Sequence, residues 1–102
     1  MDHQVKWSPQ AVEDIEEIAA YIAKDSPRYA QAVVDSCVDF SRRLTRLPLR
    51  GRVVPELGDS RYREGFVYSY RVIYRAEGSE VLIVAVIHGR RLLESVSDRF
   101  DQ

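Results

Sequence analysis

A carboxylate, a guanidinium and an imidazole can serve as proton acceptor, anion clamp and proton donor. In this chain of 102 residues, Glu56, Arg71 and His88 form such a set. Brought to one surface, they are the groups needed to cleave RNA through its 2′-hydroxyl. Glu56 would take the proton, Arg71 would stabilise the phosphate and His88 would protonate the leaving oxygen. His88 ends the most apolar stretch of the chain and is followed by Gly89, Arg90 and Arg91. A histidine there can act at neutral pH, or it can cap strand-end carbonyls. His3, near the terminus, is read as idle. There is no Cys/His metal spacing, phosphate-binding glycine loop or nucleophile elbow, so no metal or cofactor is expected.

Charge is divided unevenly. Residues 1–40 carry three bases and eight acids, and residues 41–102 carry twelve bases and eight acids. The window 42–75 holds nine arginines and no lysine, against Glu56, Asp59 and Glu64. Arginine is favoured where planar, two-pronged contact with carboxylate or phosphate is needed. The partner of this region is then a nucleic acid, an acidic protein segment, or the acidic helix of the chain itself. Arg61, Arg63, Arg75, Arg90 and Arg91 are the candidate partner-contacting positions. Tyr62, Tyr68, Tyr70 and Tyr74 interleave with them, a pattern shared by nucleic-acid surfaces and ordinary strands.

The elements that must position these groups read as follows. Residues 3–7 alternate as a short strand. Ser8-Pro9 starts a helix to about Lys24, and Ser26-Pro27 starts a second to about Leu47, stopped by Pro48. Cys37 falls on the second helix's apolar stripe and is read as a small core residue. Residues 52–57 are extended, with Pro55 marking an edge. Strands follow at 61–67, 70–76 and 80–88, the last two joined by a turn at Glu77–Ser79. Residues 92–100 have helical spacing and form a short helix or a docking tail. The expectation is one domain over 1–102. Its class is α+β: an N-terminal strand and an αα-hairpin on a three- to four-stranded antiparallel sheet, with the other sheet face partly open. No stretch is long enough to span a bilayer and no signal sequence is evident, so a cytoplasmic protein is expected.

Four pieces in order, VKWSPQAVEDIEEIAAYIAKDSP, GRVVPEL, YRVIY and VAVIHGRR, resemble the RelE/ParE superfamily of bacterial type II toxin–antitoxin modules. The resemblance implies a growth-inhibiting toxin wrapped and blocked by a cognate antitoxin. It implies contact with operator DNA only through that antitoxin. ParE-like members poison DNA gyrase, whereas RelE-like members cut mRNA in the ribosomal A site. GRVVPEL, YRVIY and HGRR are more similar to the ParE branch. Glu56, Arg71 and His88 match the catalytic positions of a nuclease subgroup, but Gly89 stands where that subgroup has tyrosine. The resemblance favours a gyrase inhibitor. A ribosome-dependent mRNA endonuclease and a non-toxic co-repressor subunit are the alternatives.

Overall fold

In the computed structural model, residues 2–100 are described; Met1, Asp101 and Gln102, at the ends of the expected domain, lie outside them. Both serine–proline signals start helices. Helix α1 spans Pro9–Ala23 and α2 spans Pro27–Arg43. The Ser8 and Ser26 hydroxyl oxygens accept from the Ala11 and Tyr29 N–H groups, each at 3.1 Å. These bonds satisfy donors that the first helical turn leaves open. Helix α2 stops four residues before the expected Leu47. Ser41 and Thr45 donate to the carbonyls of Val38 and Arg42, and such local bonds compete with helix continuation. Leu44 is still buried, but Leu47 is not.

The strands are β1 (Gln4–Trp7), β2 (Arg52–Val53), β3 (Tyr62–Val67), β4 (Tyr70–Glu77) and β5 (Glu80–His88), in sheet order β1-β5-β4-β3-β2. The sheet is therefore larger than expected and mixed. Strand β1 lies parallel to β5, with Val5 opposite Val81 and Trp7 opposite Ile83, and the other pairings are antiparallel. This puts the apolar β5 between two neighbours, where a strand buried on both faces belongs. Strand β2 is cut to two residues, because the chain turns at Pro55–Leu57.

The sheet has a core on each face. On the helix side, Ala11, Val33 and Cys37 pack on Val72, Tyr74, Ile83 and Val86. Gly65 allows this close approach, since a Cβ there would lie 2.3 Å from the Phe40 ring of α2. The opposite face is covered, contrary to the expected partly open one. Val54, Leu93, Val96 and Phe100 close over Tyr62, Ile73, Ala85 and Ile87. The tail does this as 3-10 turns over Leu93–Arg99. Each fully buried large side chain contributes about 1.5–3 kcal/mol, so the second core is a substantial part of the fold.

A β-bulge assists the closure. Ile73 pairs with Ala85 and Tyr74 with Ile83, leaving Val84 unmatched. Beyond the end of β1, the edge of β5 meets α1 and the tail. Asp14 accepts from the Val86 N–H at 2.9 Å and from Arg99 Nη1 at 2.6 Å. Arg99 also donates to the Val84 carbonyl at 3.2 Å. One buried carboxylate thus ties helix, sheet and tail together. Among the described residues no helix is long and apolar enough to cross a membrane.

The loop before β2 is fastened by a buried bond from the Gly51 N–H to the Tyr74 hydroxyl at 2.9 Å. Replacing Tyr74 with Phe keeps the packing but orphans that donor. Urea denaturation should then report a loss of about 1–3 kcal/mol.

Candidate functional site

The site grows from Arg71 on β4, opposite Phe66 of β3 and Ile87 of β5. Its guanidinium meets two carboxylates. Nη1 and Nη2 donate to the two oxygens of Glu56 at 2.8 and 3.0 Å. Nε donates to Glu64 Oε1 at 2.7 Å, and Nη2 shares the same oxygen. The second Glu64 oxygen accepts from Arg52 Nε at 2.7 Å. The Arg52 guanidinium lies over the Phe66 ring, 5.5 Å from its centre. Glu64 is 1% exposed and Arg71 5%. The turn after β2 supplies Glu56, and β2 and β3 supply Arg52 and Glu64.

The hydrogen bond from Arg71 holds the Glu56 carboxyl below the usual carboxylate range, and the same bond pushes the Arg71 guanidinium upward. Removing one member of a buried ion pair typically costs about 3–5 kcal/mol, because the remaining charge has no partner. In this arrangement the fork of Arg71 is occupied by carboxylates, and both Glu56 oxygens are engaged. The cluster holds the sheet's second face together, and Arg71 presents no empty anion clamp.

His88 lies elsewhere. It pairs with Tyr70 across β4 and β5, one position beyond the Arg71–Ile87 pair. Alternation along the strands sends Tyr70 and His88 to the helix side and Arg71 to the other. The imidazole stands edge-on to the Tyr70 ring at 5.6 Å, and its Nδ1 accepts from the Arg90 N–H at 3.1 Å. It borders a cleft of about 270 Å³ with Asp14, Ile18, Tyr21 and Arg91. Of the three sequence candidates, the fold brings Glu56 and Arg71 together and leaves His88 on the opposite face.

The five candidate contact arginines also divide. Arg61 pairs with Asp59 at 2.8 Å and Glu77 at 3.5 Å, and Arg75 with Glu77 at 4.0 Å. Arg63 donates to the Gly51 carbonyl at 3.0 Å. Arg90 and Arg91 are exposed, with Arg91 also donating to Ser95. Sequence reasoning missed Asp14, Arg52, Glu64 and Arg99 as organising residues. Two left a trace: Asp14 sits on the apolar stripe of α1, and Glu64 alternates with Tyr62 and Phe66. Arg52 and Arg99 left none. No group of residues suited to a metal ion occurs among the described residues.

The lowered Glu56 value carries a sign. Stability from its ionised form is complete above an ordinary glutamate pKa of about 4.3 and is lost as pH falls through the lower folded value. Glu56→Gln should therefore be less stable than the parent at pH 7. The gap should close in strong acid, as read by denaturant unfolding at a series of pH values.

The family model described as "ParE toxin of type II toxin-antitoxin system, parDE" matches residues 5–93. No curated protein sequence matches the chain. Among solved structures, one of a chromosomal ParDE toxin–antitoxin system from P. aeruginosa superposes with a TM-score of 0.68 at 20% identity, over 84% of this chain and 95% of that one. A chain of the RelBE2 toxin–antitoxin complex from Mycobacterium tuberculosis gives a TM-score of 0.59 at 26% identity, over 86% of this chain and 99% of that one. The first likeness is one of fold. The family match covers most of the length and takes in both helices and all of the sheet but Gln4. The chain belongs to the ParE toxin family of type II toxin–antitoxin systems.

Proposed function

We propose that this toxin arrests growth by acting on DNA gyrase, without cleaving RNA, and that a cognate antitoxin holds it inactive in the cytoplasm. The family match supports the toxin half of this reading. The observation that carries the rest is the arrangement around Arg71. A ribonuclease of the kind read from the sequence needs a free carboxylate, a cation open to phosphate and a nearby acid. Here the carboxylate and the cation are bound to each other, and the imidazole lies across the sheet. Blocking replication through a protein target asks for none of that chemistry. The antitoxin would cover apolar and basic surface by folding onto it, and would supply any contact with operator DNA.

Two assays on the purified toxin decide the matter. Gyrase supercoiling should be inhibited, with cleaved DNA trapped on the enzyme. Primer extension on a reporter mRNA in a translating extract should give no new 5′ ends. New ends with gyrase untouched would transfer the protein to the endonuclease reading. Expression that leaves growth unchanged would leave only a co-repressor role.

A further inference from the structure

Six of the thirteen arginines find an acidic partner among the described residues. Arg43, Arg52, Arg61, Arg71, Arg75 and Arg99 each face a carboxylate of the same molecule. Among the described residues no carboxylate lies within ion-pair distance of Arg42, Arg46 or Arg50, and all three are exposed. They fall at intervals of four along the end of α2 and the loop before β2. Between Arg46 and Arg50 stand Leu47 and Leu49, 55% and 62% exposed. Two exposed leucines set among cations combine apolar and charged surface, a mixture suited to contact with another protein.

The loop is held in shape. The Leu47 N–H donates to the Arg43 carbonyl at 3.1 Å and the Arg50 N–H to the Leu47 carbonyl at 3.0 Å. The Thr45 carbonyl accepts from the His3 N–H at 2.7 Å. At the far end, Gly51 is fixed through both its N–H and its carbonyl, to Tyr74 and Arg63. A projection already fixed in place loses little conformational freedom on binding.

We infer that Arg42, Arg46 and Arg50, with Leu47 and Leu49, form the surface by which the toxin engages its macromolecular target. The occupant is an apolar pocket with an acidic rim on a folded protein. Charge complementarity selects the acidic rim, and the leucines select a protein over a nucleic acid. A projecting knob needs a preformed hollow, which a segment that folds only on binding does not offer. The inference rests on the reading that the target is a protein, and names where on the toxin that protein is met.

The test uses the full chain in two forms, Leu47→Ser with Leu49→Ser, and Arg42→Gln with Arg46→Gln and Arg50→Gln. Every altered side chain is exposed, so melting temperatures should match the parent; Arg46→Gln alone replaces the triple variant if that one unfolds. Gyrase affinity should fall by about tenfold or more in each, while capture by the antitoxin is unchanged. The arginine variant's deficit should shrink as salt rises. Unchanged gyrase affinity overturns the proposal, and so does a parallel loss of antitoxin capture, which would make this the antitoxin's surface. If the parent leaves gyrase untouched, the gyrase reading fails and growth arrest becomes the readout. Loop variants that no longer arrest growth then support the surface with a different protein target. Loop variants as toxic as the parent, a parent that cuts mRNA, or a parent that leaves growth unaffected overturn it.

Discussion

A guanidinium that is almost fully buried needs partners for all its donors, and the sheet is assembled around that requirement at Arg71. Two carboxylates from different parts of the chain answer it. Glu64 comes from the neighbouring strand, and Glu56 from a turn that Val54 and Leu57 also anchor in the second core. Glu64 is buried too and takes its second partner from Arg52 on the edge strand. The chain Glu56–Arg71–Glu64–Arg52 balances its own charge and fixes β2, β3, β4 and the turn after β2 in one register. Such clusters tolerate little trimming, because each group is the solvation of the next.

The same rule operates at the other edge of the sheet. Asp14 is one of the few buried polar groups, and it answers both a strand-edge N–H and the guanidinium of Arg99. That pair lets the tail lie down over the second face, where Leu93, Val96 and Phe100 complete a core that the sheet strands begin. Hydrophobic area drives the closure. The Asp14–Arg99 contact fixes where the tail ends up.

These two networks change how the arginine-rich composition is understood. A surplus of arginine suggests a surface built to hold phosphate or acidic peptide. Much of it instead faces the protein's own acids, in buried pairs at Arg71 and Arg99 and nearer the surface at Arg52, Arg61 and Arg75. The arginines without an acidic partner among the described residues include those at the end of α2, in the loop that follows, and after β5. Function is better sought among these than in the total.

By itself the sequence determined the local elements. Ser-Pro caps, helical spacing and alternating apolar residues named both helices and the main strands, because those signals act between residues close in the chain. It also determined the order of elements, and so the family resemblance. Only the tertiary structure decided that β1 runs parallel beside β5, that residues 93–100 cover the second face, and that Glu56 meets Arg71 while His88 does not. Each of these joins residues far apart in sequence, and a strand's alternation fixes the relative faces of neighbours without saying which face a distant segment will cover. Glu56, Arg71 and His88 look equivalent as a list of residue types. One position of offset along the paired strands β4 and β5 turns His88 away, because successive side chains in a strand point to opposite sides.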